Sequence, residues 1–234
     1  MSNARTKAVP DIVVGRLPVY LRALDAMRAN GQEVTSSHAL ADWLGISPAQ
    51  LRKDLSHFGG FGKQGTGYHI ASLQAQLRAI LNLDHEWPLL VIGAGHIGSA
   101  IASYTGFSER GFRVVAIFDA DPAKIGLTLG GHTVLAISEL PDIARRLGIR
   151  HAMLAVPAEH AQAVVDLVVA AGVTAILNYA PIHLAVPGRV RVQYIDPVLH
   201  LQQMTYYLLT ESLPEAISPA PAYAGAGRIA SRTD

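Results

Sequence analysis

Residues 89–98, LLVIGAGHIG, contain the pattern that decides the fold of most of the chain. The first four are typical of a buried strand, and an apolar run with helical spacing follows over residues 99–107. A GxGxxG pattern between a strand and a helix is typical of a dinucleotide-binding loop. Gly93 would make the tight turn, Gly95 would let the backbone approach a pyrophosphate, and Gly98 would let helix and strand pack closely. The pattern predicts cofactor contacts from Gly93, Ala94, Gly95, His96, Ile97 and Gly98.

A carboxylate at the end of the next strand predicts which dinucleotide binds. The run Phe112–Phe118 ends at Asp119, 21 residues after Gly98. An acidic side chain at this distance accepts hydrogen bonds from the adenosine ribose hydroxyls and repels a 2′-phosphate. Asp121 adds to that repulsion, whereas Lys124 weakens it. We expect NADH and NAD⁺, bound as ligands, rather than NADPH; the alternative is a Rossmann-like fold that binds no cofactor.

Short β-rich runs continue to alternate with helical runs, as in a doubly wound parallel sheet of the α/β class. Strands are predicted at 133–135, 152–156 and 175–177, with helices that Ser138 begins and Gly172 ends. Because ligands bind at the carboxyl ends of such strands, the segments after the last two strands should line the cofactor site. These segments contribute Val156, Pro157, Asn178, Tyr179, Ala180 and Pro181. Asn178 would hydrogen-bond the nicotinamide side or, equally well, would form a strand-end turn.

The amino-terminal part of the chain has the spacing of a helix-turn-helix. Apolar residues recur at helical intervals over 18–29, and shorter helices are expected at 38–44 and 48–58. The turn between the last two contains Gly45, and Ser47 is a good N-cap for the helix that follows. Two helices joined by a short turn with a glycine form a common DNA-binding motif.

The third of these helices has one apolar face and one face of small and donor residues. Leu51, Leu55 and Phe58 lie on the core side, and Asp54 at its edge is expected to be structural. The opposite face suits the major groove, where Arg and Lys reach guanine or phosphates; the alternative is an ordinary solvated face. DNA contacts are predicted for Ser47, Ala49, Gln50, Arg52, Lys53, Ser56, His57, Gly60 and Lys63.

A glycine-rich segment follows this helix directly. Residues 59–68 contain five glycines, which predicts the hairpin of a winged-helix domain lying along the DNA backbone. Phe61, Tyr68 and Ile70 would anchor the hairpin strands, which argues against the alternative of a flexible linker.

Composition excludes several kinds of site. The chain has no cysteine, which excludes disulfides, zinc–thiolate sites and thiol nucleophiles. Its ten histidines form no metal-ligand pattern, so no metal is expected. With no apolar stretch of signal-peptide or membrane-span length, we expect a cytoplasmic protein without a membrane partner. Residues 1–82 carry a net charge of +4 and the remainder −3, which indicates a nucleic-acid-binding part joined to another part.

The last predicted helix suggests an oligomer. Asp196 can cap it, and apolar residues cover most of its circumference, so packing between the subunits of a homodimer is expected. The alternative is a helix packed on its own sheet. A two-fold dimer would match a pseudo-palindromic operator in double-stranded DNA. The sequence thus predicts a winged-helix domain over 1–84, a Rossmann NAD(H)-binding domain over 85–195, a dimerisation helix over 196–213 and a flexible tail over 214–234.

Four motifs together resemble the family of redox-sensing transcriptional repressors called Rex. They are QLRKDLSHFGGFGKQGTGY (50–68), VIGAGHIGSA (91–100), FDADPAKIG (118–126) and ILNYAPI (176–182). The resemblance implies a homodimer that binds operator DNA when NADH is scarce, leaves it when NADH binds, and swaps its C-terminal helix between subunits.

The resemblance also implies a switch in which three side chains exchange partners. By motif these are Arg22, Tyr104 and Asp196. An Asp–Arg pair made in one state can be exchanged for an Asp–Tyr hydrogen bond in the other, although Asp196 as a plain N-cap explains that residue alone. Pro197 departs from relatives that carry an aromatic residue after this aspartate.

Two other functions remain open from the residues alone. One is a small NAD-dependent oxidoreductase with an accessory helix-turn-helix domain. The other is a nucleotide-binding subunit of a larger assembly, because CoA-binding domains share the Rossmann-like fold. An oxidoreductase needs a substrate domain and a positioned acid or base. Few residues follow the Rossmann-like region and no catalytic constellation is evident, so we expect no enzyme.

Overall fold

The computed structural model describes residues 9–61 and 67–210, and these residues fall into two compact units. The division lies between Asp84 and His85. The expected tail over 214–234 and the tip of the expected hairpin lie outside the described residues.

The first unit consists of helices packed around one apolar core. Its elements are α1 (Asp11–Ala29), β1 (Val34–Thr35), α2 (Ser37–Leu44), α3 (Pro48–Ser56), β2 (Tyr68–His69) and α4 (Ile70–Ile80). Helix α1 begins well before the expected residue 18, because Val13 continues the apolar spacing and is buried. Every helix contributes to the core, whose fully buried members include Leu17, Tyr20, Leu24, Leu40, Leu51, Ile70 and Leu77.

Local capping fixes the helix-turn-helix. The Ser36 hydroxyl accepts a hydrogen bond from the Ala39 amide at 3.0 Å, and the Ser47 hydroxyl accepts one from the Gln50 amide at 3.1 Å. Gly45 ends α2 in the left-handed region at φ +67°, which only glycine adopts without strain. The helix-turn-helix predicted from these residues is confirmed.

The segment after α3 differs in part from the expected hairpin. Tyr68 lies in a strand, but that strand pairs antiparallel with β1, with Thr35 opposite Tyr68. Gly67 has φ +75°, and a Cβ there would lie 2.6 Å from the Thr35 carbonyl oxygen, so this pairing requires glycine. Ile70 is not a strand residue: it begins α4 and is buried, because Leu73 and Leu77 continue its apolar face.

The second unit is built on a sheet of seven described strands. They are β3 (Trp87–Ile92), β4 (Phe112–Asp119), β5 (Thr128–Leu129), β6 (His132–Ala136), β7 (His151–Leu154), β8 (Ala175–Asn178) and β9 (Arg191–Tyr194). Their spatial order is β5-β6-β4-β3-β7-β8-β9, and all pairs are parallel except β5 with β6. Without β5, this is the order of a dinucleotide-binding sheet, in which the connections reverse direction beside β3. The helices are α5 (His96–Ser103), α6 (Leu140–Arg146), α7 (Ala158–Ala170) and α8 (Pro197–Thr210).

Helices cover both faces of this sheet. Leu90 and Ile92 of β3 pack in the cluster that contains α6 and α7, whereas Leu89 and Val91 pack in the cluster that contains Ile101 of α5. A strand that is apolar on both faces must be covered on both. The predicted winged helix followed by a Rossmann-like unit is thus confirmed as the fold class.

Two predicted helix starts in the second unit are wrong. Helix α5 begins at His96 instead of Ser99, because the glycine loop passes directly into it. Ser138 is not a cap but lies within a 3₁₀ turn, Ile137–Glu139, where the Glu139 carboxylate accepts a hydrogen bond from the Ala136 amide at 3.1 Å. Across 9–61 and 67–210, no helix combines the length and apolarity needed to cross a bilayer.

Candidate functional site

A cleft of about 720 Å³ lies at the carboxyl ends of β3, β4 and β7. This volume falls in the range of small-molecule sites, and the position is the one at which parallel sheets bind ligands. Backbone hydrogen bonds extend the sheet on both sides of its floor, from the Gly93 amide to the Phe118 carbonyl and from the Ala155 amide to the Ile92 carbonyl, each 2.8 Å long. The floor of the cleft is therefore continuous with the central strands of the sheet.

The three loop glycines have distinct structural roles. Gly93 has φ +100°, and a Cβ there would lie 2.3 Å from the Ala155 carbonyl oxygen. A Cβ on Gly98 would lie 1.8 Å from the Gly93 carbonyl oxygen, so helix α5 can pack this closely only on glycine. A Cβ on Gly95 would meet nothing within 4 Å, yet Gly95 lines the cleft. The space above Gly95 is thus left for a ligand at the amino end of α5, where free N–H groups favour a pyrophosphate.

Asp119 holds the glycine loop as well as facing the cleft. Its Oδ2 accepts hydrogen bonds from the Ala94 amide at 2.7 Å and from Lys124 Nζ at 3.2 Å, and its Oδ1 accepts one from the Asp121 amide at 2.8 Å. Burial alone would raise the pKa of Asp119, but the two backbone N–H groups and Lys124 outweigh it and hold the pKa below its usual value. The carboxylate is therefore ionised at neutral pH and retains acceptor capacity on Oδ1.

Lys124 brings a compensating charge to the same place. Its Nζ lies 3.2 Å from Asp119 and 3.8 Å from Asp121. The carboxylates of Asp119 and Asp121 outnumber this ammonium, so the end of the cleft beside β4 keeps an excess of negative charge. That excess favours a free ribose diol over a 2′-phosphate.

Most of the predicted cofactor residues line the cleft, and four lie behind its wall. The lining ones are Gly93, Gly95, His96, Ile97, Asp119, Val156, Pro157, Tyr179 and Pro181. Behind them, Ala94 is buried in the loop and Gly98 in the first turn of α5, while Asn178 is buried at the end of β8 and Ala180 just after it.

Both polar atoms of Asn178 are used by the turn after β8. Its Oδ1 accepts from the Ala180 amide at 2.9 Å, while its Nδ2 donates to the carbonyl oxygens of Ala180 at 2.9 Å and Ile182 at 3.2 Å. The structure therefore places Asn178 in the strand-end turn, the second of its two predicted roles, from which it supports Tyr179 and Pro181.

Sequence reasoning missed one wall of the cleft. Ile137 and Val164 supply apolar surface there, and His160 lies at its edge near the start of α7. Ile137 follows β6 directly, and His160 follows the Pro157 turn. The rule about carboxyl strand ends would have found Ile137 if it had been applied to β6, whereas His160 lies within α7 and follows no strand end directly.

Helix α3 presents the predicted face of small and donor residues. Ala49, Arg52, Lys53, Ser56 and His57 are exposed, and Gly60 beyond the helix is exposed as well. Arg52 donates to the Ser37 hydroxyl at 3.1 Å, and Ser56 donates to the Lys53 carbonyl oxygen at 2.7 Å. Lys63 lies outside the described residues. The exposed cations and hydroxyls can donate to phosphates and to base edges.

The buried side of α3 contains a charge network that the sequence did not reveal. Asp54 is buried, and its carboxylate accepts hydrogen bonds from Arg16 and Tyr20 of α1 and from Gln50 of its own helix. Burial alone would raise the pKa of Asp54, but these hydrogen bonds outweigh it and lower the pKa. The only available signal was the four-residue spacing of Arg16 and Tyr20, which places both on one helix face.

The three side chains that the family motif marks as a switch have ordinary surroundings here. Arg22 is exposed on α1. Tyr104 is exposed after α5; Arg110 donates to its hydroxyl at 3.3 Å, and its ring packs edge-on against Phe107. Asp196 accepts a hydrogen bond from the Val198 amide at 2.9 Å and so caps α8, as expected for its plain structural role.

No group of three or more potential metal-ligating side chains occurs in the part of the chain that the structure describes.

Two family models match this chain, one in each unit. Residues 84–182 match a model described as a CoA binding domain, and residues 8–56 match one described as the N-terminus of a putative DNA-binding protein. The first model agrees with the Rossmann-like unit and the second with the helix-turn-helix.

Curated relatives match nearly the whole chain under one name, redox-sensing transcriptional repressor Rex. The relative from Roseiflexus sp. (strain RS-1) is 51% identical over 204 residues, covering 87% of this chain and 93% of its own length. The relative from Streptomyces coelicolor is 40% identical over 229 residues, covering 98% of this chain and 89% of its own length.

Solved structures agree with these relatives. A crystal structure described as RSP in complex with β-NAD⁺ and operator DNA is 37% identical, covers 88% of this chain and 95% of its own, and has a TM-score of 0.83. A structure of RSP in complex with β-NADH is 35% identical, covers 88% of this chain and 97% of its own, and has a TM-score of 0.81. RSP is itself described as a Rex-family repressor. With both units matched, this chain belongs to the Rex family of redox-sensing transcriptional repressors.

Proposed function

We propose that this chain is a transcriptional repressor that responds to NADH and NAD⁺, binds operator DNA as a homodimer and leaves the DNA when NADH binds. The proposal rests mainly on two features of one chain: the capped helix α3 of the helix-turn-helix, and a glycine loop that leaves space above Gly95 for the pyrophosphate of a dinucleotide. The relatives named as repressors support the same function, and RSP has been crystallised with NAD⁺ and operator DNA and with NADH.

The nucleotide would bind in the cleft with its pyrophosphate above Gly95. His96 and Ile97 lie at the amino end of α5 beside it. The free acceptor capacity of Asp119 suits a ribose hydroxyl, which favours NADH over both NADPH and a 3′-phosphorylated CoA. Val156, Pro157, Tyr179 and Pro181 would line the remainder of the dinucleotide, supported from behind by Ala94, Gly98, Asn178 and Ala180.

The DNA would lie along the exposed face of α3. Ser47 and Ala49 mark the start of this face, and the cations Arg52 and Lys53 would contact phosphates or guanine. The remaining proposed contacts are Gln50, Ser56, His57, Gly60 and Lys63. An operator-binding protein acts where the chromosome is, so we place this repressor in the cytoplasm.

Helix α8 supports the homodimer. Its described apolar side chains, up to Leu208, are exposed in the single chain; Leu201 and Met204 are each 60% exposed and Leu208 is 72% exposed. Exposed apolar surface of this extent marks an interaction site, and a second copy swapping the same helix would cover it. The proposed division is therefore a DNA-binding domain over 1–84, a nucleotide-binding domain over 85–195, a dimerisation helix over 196–213 and a tail over 214–234.

The switch would couple the two sites. NADH and NAD⁺ differ in the charge and planarity of the nicotinamide ring, and they must bind two subunit arrangements with different affinity, because a ligand with equal affinity for both shifts nothing. We propose that Arg22, Tyr104 and Asp196 exchange partners between these arrangements.

The test is operator binding at several NADH/NAD⁺ ratios. Fluorescence anisotropy of a labelled operator duplex should show affinity that falls as the NADH fraction rises, at one fixed salt concentration because phosphate contacts are salt-dependent. Asp119→Ala should keep operator affinity and lose the NADH response. Operator affinity that is unchanged by saturating NADH would contradict the proposal.

The nucleotide serves here as a signal and not as a hydride donor. The measurement that distinguishes the oxidoreductase alternative is NADH consumption at 340 nm with 2-oxo acids and aldehydes. We expect no turnover above the protein-free rate. Sustained turnover would make the chain an enzyme with an accessory DNA-binding domain.

A further inference from the structure

The carboxylate of Asp54 is buried and is surrounded by donors. Oδ1 accepts from Arg16 Nη2 at 2.8 Å and from Gln50 Nε2 at 2.6 Å; Oδ2 accepts from Arg16 Nε at 2.5 Å and from Tyr20 Oη at 2.6 Å. Asp54 is 1% exposed, and its guanidinium partner is 22% exposed at the side chain. A buried carboxylate with a bidentate arginine and two further donors is ionised and fully satisfied.

An ionised carboxylate can only accept hydrogen bonds, and this fixes the side-chain amide of Gln50. The amide nitrogen must face Asp54, because turning the amide would place its carbonyl oxygen against a carboxylate oxygen. Gln50 therefore keeps Oε1 and one remaining N–H for other partners. The hydrogen bonds around Asp54 therefore permit only this orientation of the Gln50 amide.

Gln50 lies at a position of α3 from which its side chain can reach a DNA base. It is half-buried on the flank of the exposed face of α3, between Ala49 and Lys53 on that face and Asp54 on the buried side. Residues near the start of a recognition helix are those that contact base edges. Because α1 holds Asp54 through Arg16 and Tyr20, the orientation of Gln50 is set from a second helix.

We propose that Asp54 is a positioning residue that fixes Gln50 so that it recognises a base carrying an exocyclic amino group in the major groove. The outward Oε1 accepts from adenine N6 or cytosine N4, and the remaining N–H suits adenine N7. Guanine O6 and thymine O4 are acceptors, and would face Oε1 with no proton between them. The inference rests on the proposed DNA-binding function.

The experiment selects duplexes from a library of randomised DNA with the full-length protein and sequences the bound pool. The wild type should show, at one position of each half-site, a preference for the amino-bearing base. Gln50→Ala should lose that preference at that position alone, with a fivefold or larger change in relative affinity, the lower end of what a base contact contributes. Gln76→Ala, an exposed glutamine of α4, should select the same pool as the wild type.

Asp54→Asn tests the positioning role directly. When the asparagine amide nitrogen takes the place of Oδ1, it gives up the hydrogen bond from Arg16 Nη2 and can donate to Oε1 of Gln50. The Gln50 amide can then turn and present its NH₂ outward. The variant should then select an acceptor-bearing base, guanine or thymine, at the position that Gln50→Ala identifies. The salt dependence of binding should stay the same, because no phosphate contact changes.

Four outcomes would contradict the positioning role of Asp54, the base contact of Gln50 or the proposed function. Uniformly weaker binding of all sequences by Asp54→Asn, with the same preferred base, would show a purely structural role and contradict the positioning role. If Asp54→Asn does not fold, Gln50→Ala still decides whether Gln50 recognises the base, on which the positioning role depends, and an unchanged pool overturns the inference. A wild type that selects no sequence overturns the proposed function as well, whereas a selected operator that releases with NADH and ignores Gln50 overturns only this inference.

Discussion

Two glycines of the GxGxxG segment, Gly95 and Gly98, should respond in different ways to one added methyl group: Gly98→Ala should lose stability and Gly95→Ala should lose NADH affinity. In Gly98→Ala the new Cβ would lie 1.8 Å from the Gly93 carbonyl oxygen, where ordinary contact begins at 3.4 Å. The obstructing atom is backbone, so α5 itself must move away from β3. In Gly95→Ala the new Cβ meets no protein atom within 4 Å but enters the cleft where the pyrophosphate would lie.

The magnitudes follow from these contacts. Overpacking of a core costs about 1–3 kcal/mol, and we take the upper end, about 3 kcal/mol, for Gly98→Ala because no flexible side chain can yield. For a unit of this size that corresponds to a fall in Tm of roughly 10 °C. Gly95→Ala should change the free energy of unfolding by less than about 1 kcal/mol, because its φ of −83° suits alanine.

Thermal unfolding and NADH titration calorimetry separate the two effects. Gly95→Ala should lose roughly tenfold or more in NADH affinity, equivalent to about 1.4 kcal/mol, at nearly unchanged Tm. Gly98→Ala should lower Tm first and affinity as a consequence. A Tm of Gly98→Ala within about 2 °C of the wild type would contradict the packing role of Gly98. Wild-type NADH affinity in Gly95→Ala would contradict a ligand position above Gly95.

Three further predictions concern single side chains. Ser47→Ala removes the cap of α3 and should destabilise the first unit by about 1 kcal/mol and weaken operator binding, measured by thermal unfolding and anisotropy; an unchanged Tm would contradict the capping role. Asp119→Asn should lower the NADH-over-NADPH affinity ratio about tenfold, equivalent to about 1.4 kcal/mol, in paired titrations, because the charge that repels a 2′-phosphate is gone; an equal ratio would remove Asp119 from the selectivity. Burial lowers the pKa of His151 below the ordinary 6.5, so the unfolded chain takes up a proton at higher pH than the folded one, and stability should fall as the pH drops through 6.5 and below. In His151→Phe, Tm should fall less between about pH 7.5 and pH 5 than in the wild type. The same dependence of Tm on pH in both proteins would contradict this role of His151.

The predicted parts of both sites rest on local signals. The glycine loop sits between its strand and helix within ten residues, and Ser47, Pro48 and Gly45 fix the turn before α3 within four. Capping, left-handed backbone and close helix packing depend on residues near in sequence, so their spacing is sufficient to predict them. The fold class followed from the same local patterns.

The missed features depend on contacts between distant residues. Asp54 meets Arg16 across 38 residues, and no spacing rule links them. Helix α4 was not predicted, because Ile70 was assigned to a hairpin strand. Its apolar spacing with Leu73 and Leu77 is nevertheless that of a helix. Asn178 suited a ligand contact and a turn equally, and only the positions of Ala180 and Ile182 show that the turn takes both of its polar atoms.

In the proposed homodimer, filling the nucleotide cleft repositions the two DNA-contacting helices. Because the chain has no cysteine, Ala75→Cys on the exposed side of α4 gives one spin label per subunit. Pulsed electron–electron double resonance then measures the distance between the two spin labels of the homodimer, once with NAD⁺ and once with NADH. We expect two clearly separated distance distributions. Identical distributions in the two samples, with calorimetry showing NADH bound, would contradict this repositioning.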